Sequence, residues 1–115
     1  MATRGKGSLV RRLRRGGTRL HSGPWTLYVG ARAESERRLF VSLGRTAGPA
    51  VARSRIRRIA RSVFANAGVP SLDASILLTA RAFVGEVPRT ELRAAFIKLK
   101  DRAAQVLSRQ GTSPA

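Results

Sequence analysis

The longest regular hydrophobic pattern in the chain runs through Ala52, Ile56, Ile59, Ala60, Val63, Phe64 and Ala67. That spacing follows the ~3.6-residue period of a helix with one buried face. It predicts a helix from about Ala50 to Ala67, closed by Gly68 with Pro70 just beyond. Leu92, Ala95, Phe96, Leu99, Ala103 and Val106 repeat the pattern and predict a last helix from Arg89 or Thr90 to about Ser108, with Thr90 as N-cap and Gly111 past the end. A shorter stripe of Leu9, Val10 and Leu13 predicts a first helix from a Ser8 cap through Arg15, stopped by Gly16 and Gly17. Between the helices the period drops to two. Trp25, Leu27 and Val29 alternate with Thr26 and Tyr28, predicting a strand over 24–30; Arg38 to Leu43 reads as a second strand. The polar loop over 31–37 joins the two, so they are expected to pair antiparallel. The mostly apolar run from Leu72 to Ala80 has the character of a central strand covered on both faces.

The resulting order is α-β-β-α-β-α, which implies one mixed sheet with helices packed on it, an α/β chain of the α+β sandwich kind. At 115 residues the expectation is one domain, 1–115, with loose tails over about 1–7 and 110–115. A hydrophobic fraction of 43% is enough for a packed core and excludes a disordered basic tail. Cysteine is absent, which excludes disulfides, zinc ribbons and thiol nucleophiles. No apolar run approaches the ~18 residues of a membrane span, and the start carries no apolar signal region, so a cytoplasmic protein with no membrane association is expected.

Charge changes this picture most. Lysine and arginine number 23 against 6 acidic residues, a net charge of +17. Five of the arginines, Arg53, Arg55, Arg57, Arg58 and Arg61, fall on the central helix, and no carboxylate lies between Glu36 and Asp73. A solvated charged helix face normally carries oppositely charged partners one turn away. Without them the face repels itself and calls for a polyanion. At about 100° per residue, Arg53, Arg57 and Arg61 form a row along one edge of the helix, while Ser54, Arg55 and Arg58 cross its solvent side. Guanidinium forks pair with phosphate oxygens, so nucleic acid is the leading partner.

The segment from Arg38 to Arg61 also resembles the bacterial ribonuclease P protein component. That family carries the pattern Val-Ser-x-Lys-Lys-x-Gly-x-Ala-Val-x-Arg-Asn-Arg-x-Lys-Arg-x-x-Arg. The matching positions here are Val41, Ser42, Arg45, Gly48, Ala50, Val51, Arg53, Arg55, Arg57, Arg58 and Arg61. Arg14-Arg15-Gly16, the Leu27-Tyr28-Val29 strand and the run from Ile76 to Arg81 fall where the family has equivalents, so the resemblance covers most of residues 8–107. The departures are Ser54 for asparagine, Arg45 and Thr46 for paired lysines, Leu9 and Leu13 for two phenylalanines, and Ser8 for an acidic residue.

The resemblance implies a sandwich with a left-handed βαβ crossover, of the type seen in a ribosomal-protein domain. It implies a protein subunit that binds a catalytic RNA through Arg45, Arg53, Ser54, Arg55, Arg57, Arg58 and Arg61. It further implies that Leu9, Leu13, Tyr28 and Arg81 face the 5′ leader of precursor tRNA, in a cleft between the first helix and the sheet. The partners are then ribonuclease P RNA and precursor tRNA, with no obligate protein partner, and Mg2+ is bound mainly by the RNA.

The residues themselves offer little independent chemistry. His21 is the single histidine and stands by Ser22-Gly23-Pro24 in an expected turn. Glu34, Glu36, Asp73, Glu86, Glu91 and Asp101 show no spacing suited to two-metal hydrolysis. No catalytic or metal-binding residue of the protein is therefore expected, and phosphodiester hydrolysis falls to the RNA. A small basic ribosomal protein and a structural DNA-binding protein fit the same charge and size; a stand-alone nuclease fits least.

Overall fold

The computed structural model of the chain describes residues 6–30, 39–64 and 75–110, and the side chains of 6–9 and 110 lie outside that description. The elements are α1 (Lys6–Gly16), β1 (Thr18–Ser22), β2 (Trp25–Val29), β3 (Leu39–Ser42), a single 3-10 turn (Arg45–Ala47), α2 (Ala50–Phe64), β4 (Ile76–Ala80) and α3 (Arg89–Gln110). The strands form one four-stranded mixed sheet in the order β1-β2-β4-β3. This is the α+β architecture that the hydrophobic pattern implies, with one strand more. Of the expected tails, Lys6, Gly7 and Gln110 are helical, while 1–5 and 111–115 lie outside the described residues. So do the loop acids Glu34 and Glu36, Asp73, and the expected ends of α2 at Ala67 and Gly68 and of β4 at Leu72.

Two expectations are corrected. The extra strand β1 occupies residues read as loop, so His21 lies in a strand and the turn is Gly23-Pro24, with Gly23 at φ 58°. Its period-2 signal is invisible because only Leu20 of its five residues is buried. The second correction is pairing. β2 is antiparallel to β1 and to β4, and β3 does not pair with β2 but runs parallel to β4 alone. The cause is in β4, whose Ile76, Leu77 and Leu78 are buried on both faces. The most apolar strand takes the central position and separates the two strands that adjoin in sequence.

The two faces of the sheet are covered by different helices. Trp25, Leu27, Val29, Ile76 and Leu78 join the main core with Ile56, Ile59, Ala60, Val63 and Phe64 of α2 and Leu92, Phe96, Leu99, Ala103 and Leu107 of α3. Trp25 and Phe96 meet edge to face at 4.8 Å, a geometry worth about 0.5–1.5 kcal/mol beyond area burial. On the other face a smaller cluster joins Leu13 of α1 to Phe40 and Leu77, with Val10 and Tyr28 packed against it. The stripe of α3 ends on buried Leu107 rather than Val106, which is half-buried. Thr90 lies inside the first turn of α3; the cap position is Pro88, whose carbonyl accepts from the Leu92 amide at 3.0 Å.

Candidate nucleic-acid interface

Helix α2 is fixed at both ends before any partner arrives. At its start the Pro49 carbonyl accepts from the Arg53 amide at 2.9 Å. Gly48 precedes it at φ 146°, a conformation that side-chain-bearing residues avoid. A Cβ there would also stand 3.1 Å from the Gly85 Cα, so the loop after β4 passes close over the helix start. At the far end Lys100 of α3, only 1% exposed, donates from Nζ to the Val63 and Phe64 carbonyls, both at 3.1 Å. A buried cation thus meets the carbonyl end of the helix dipole. The α3 stripe gave no sign of this, because a lysine at position 100 reads as one of its polar positions.

The arginines of α2 divide by what they already hold. Arg53 Nε donates to the Gly48 carbonyl at 3.1 Å, which folds that side chain back on the helix start. Arg55 Nη2 donates to the Gly85 and Val87 carbonyls at 3.3 and 2.9 Å, strapping the loop after β4 to α2. Arg57 is half-buried, whereas Ser54, Arg58 and Arg61 are exposed along the outer face, and Arg45 is exposed on the 3-10 turn. The set read from sequence is therefore two jobs on one helix. Arg53 and Arg55 build the scaffold with part of their donors, and Arg45, Arg57, Arg58 and Arg61 present charge.

On the opposite face of the sheet, α1 stands over Tyr28. Arg14 lies over the Tyr28 ring, 5.9 Å from its centroid, and its Nη2 is 3.5 Å from the Ser42 hydroxyl. Leu13, expected to face a bound strand, is 4% exposed and packs into the small core instead; what it supplies is the seat of α1. The Leu9 side chain lies outside the described residues. Tyr28 is half-buried and keeps part of its ring open beside Arg14. Next to the Tyr28 row, strand register places His21, Thr26, Thr79 and Ser42 in one line across all four strands. His21 Nδ1 is 3.1 Å from the Thr26 hydroxyl, and the Thr79 hydroxyl donates to the Thr26 carbonyl at 3.5 Å. Arg81 follows β4 at the edge, exposed, with its amide on the Pro24 carbonyl and Nη2 on the Gly23 carbonyl. It lies four residues beyond Leu77, the partner of Tyr28, or roughly 13 Å along the strand. The sequence names Tyr28 and Arg81 as candidates but gives no sign of the polar row between them, since that row exists only through the register of the unforeseen β1.

A basic helix displayed from an α+β core, with Arg14 over Tyr28 on the other side of the sheet, agrees with a family-wide match. The model of the family described as Ribonuclease P matches residues 6–104. The chain belongs to the ribonuclease P protein family. Membership makes it a protein subunit of ribonuclease P and implies an RNA subunit as its partner. The fold agrees. The Staphylococcus aureus RNase P protein superposes with a TM-score of 0.74 at 19% identity, covering 90% of this chain and 94% of that one. The Thermotoga maritima RNase P protein gives 0.70 at 20% identity, covering 88% and 94%. No curated protein sequence matches at a significant level. Among the described residues no three His, Asp or Glu side chains gather into a metal-holding group. No helix among them is long and apolar enough to cross a membrane.

Proposed function

We propose that the chain binds the catalytic RNA of ribonuclease P through α2, and holds the 5′ leader of precursor tRNA in the cleft between α1 and the sheet. The observation that carries the first part is the pinned helix, with Arg57, Arg58 and Arg61 on its outer side and no acidic residue between Glu36 and Asp73. A row of cations on a rigid scaffold meets phosphates without first ordering itself, which lowers the cost of binding. The second part rests on Tyr28 under Arg14 and on the His21–Thr26–Thr79–Ser42 row that leads toward Arg81. The part of the Tyr28 ring left uncovered beside Arg14 suits base stacking, and His21 and Ser42, exposed at either end of a row whose Thr26 is buried, suit a ribose-phosphate chain. Hydrolysis of the 5′ bond belongs to the RNA on this reading. The protein screens phosphate repulsion and raises affinity for the substrate.

Precursor-tRNA cleavage by a bacterial ribonuclease P RNA at low magnesium, with and without the chain, tests this. The chain is expected to raise cleavage, and the gain is expected to shrink as the leader is shortened. The combined Arg57→Ala, Arg58→Ala and Arg61→Ala protein is expected to lose the gain while keeping its circular dichroism spectrum. No gain from the parent chain counts against the whole reading; a gain indifferent to leader length counts against the cleft.

A further inference from the structure

Phe83 is an aromatic side chain held out of the core by the structure around it. It is 57% exposed, in the loop between β4 and α3. Its neighbour Val84 is 1% exposed and donates its amide to the Ala47 carbonyl at 2.9 Å, so the chain is nailed down one residue away. On the far side Gly85 leaves room for the ring: a Cβ there would come within 3.0 Å of Phe83 Cζ and 3.3 Å of Cε1. Arg55 then ties the Gly85 and Val87 carbonyls to α2. A loop fastened at 84, 85 and 87 does not let the ring swing inward. The same corner exposes a second apolar side chain. Val51, 83% exposed, adjoins Ala52, whose Cβ is 3.4 Å from the Gly85 Cβ position. Winding α2 at about 100° per residue puts Val51, Arg55 and Arg58 along one flank.

We infer that Phe83, with Val51 exposed on the neighbouring flank of α2, is a stacking site for an unpaired nucleobase of the RNA held by α2, an inference that rests on the proposed RNA binding. The occupant follows from the surroundings. Arg55 and Arg58 flank the patch, and Arg81 and Arg89 are exposed at the two ends of its loop, so these cations outnumber Glu86, the one exposed acid of that loop. A second copy of this chain, at net +17, or any other basic partner would bring like charge to the patch. An RNA strand brings phosphates to the guanidinium groups and a flat apolar base to the ring. Every base has a stacking face, and the interaction tolerates sequence. Paired bases cannot reach the ring, so Phe83 selects for a bulge or loop beside the phosphates that α2 grips.

The test uses the full chain and two RNA hairpins, one with a fully paired stem and one whose stem carries a single unpaired fluorescent purine analogue. Phe83→Ala is expected to weaken binding of the bulged hairpin by about tenfold to a hundredfold, to leave the paired hairpin unchanged, and to abolish quenching of the analogue. Phe83→Trp is expected to keep both affinity and quenching. Equal loss on both hairpins, or no loss on either, overturns the inference, as does sedimentation showing that Phe83→Ala dissolves a dimer of the parent chain. Arg58→Ala separates the two levels. If it weakens both hairpins while Phe83→Ala changes neither, only the stacking site fails; if Arg58→Ala together with Arg57→Ala changes neither, RNA binding by α2 fails with it.

Discussion

Arg55 and Arg58 are three residues apart on α2 and differ in what they are bonded to. Arg55 spends donors on two loop carbonyls, and Arg58 projects into solvent. Arg58→Ala is therefore expected to leave the unfolding midpoint unchanged and to reduce the salt slope of RNA binding by about 0.9, the share of one phosphate. Arg55→Ala is expected to lower stability by about 1–3 kcal/mol as well, because the Gly85 and Val87 carbonyls lose their partner. Urea unfolding alongside the salt titration distinguishes the two, and equal stability of the two variants contradicts the strap. Lys100 carries a different signature. Burial lowers its ammonium below the ordinary 10.5, with Asp101 pulling the other way. The unfolded chain then holds that proton more firmly than the folded one. Stability accordingly rises with pH between the lowered value and about 10.4, and the penalty is full below that window. Urea unfolding from neutral to alkaline pH is expected to show this rise in the parent and to lose it in Lys100→Met. A slope shared by both proteins removes Lys100 as its source. These roles were not legible in the sequence: a charge pattern shows how many cations a face has, not which of them the fold has already engaged.

At the scale of elements, what was legible depended on burial. Helix α2 was read correctly over its described length because Ala52, Ile56, Ile59, Ala60, Val63 and Phe64 all go inward. Strand β2 was legible for the same reason, with Trp25, Leu27 and Val29 on one face. β1 was not, since an edge strand with a single buried side chain leaves no alternation to read. The pairing of β3 was not legible because the apolar β4 takes the centre of the sheet and separates β2 from β3, although these adjoin in sequence. The polar row was hidden for both reasons, as it needs β1 at one end and β3 at the other. Among the described side chains, α1 is attached through Leu13 and Val10 to Phe40, Leu77 and Tyr28. Leu13→Ala removes the buried anchor of that contact, a change that costs about 2–5 kcal/mol in a full core. Hydrogen exchange is expected to show α1 amides losing protection while those of α2 and α3 keep theirs. Uniform loss across the three helices contradicts a separate attachment of α1.

For the whole molecule, the sheet is a partition. α2 and α3 cover one face and α1 the other, so the arginine helix and Tyr28 lie on different sides of the sheet. On the proposed reading the domain stands between two RNA segments, and its net charge of +17 is met from both directions. The central place of β4 has a further consequence for how the chain is made. A ribosome delivers β2, β3 and α2 before β4 and α3. Until Ile76–Ala80 emerges β3 has no strand to bond, and until Lys100 emerges the last carbonyls of α2 lack their buried donor. On this account the arginines of a growing chain stay a loose polycation until β4 and Lys100 are in place. Chains cut after residue 74 are expected to bind RNA weakly and with little regard to its structure, and chains reaching residue 110 to bind as the whole protein does; equal, structure-selective binding by both lengths would show that α2 needs neither partner. On the proposed reading, the order of synthesis itself thus withholds the RNA-docking surface from unfinished chains.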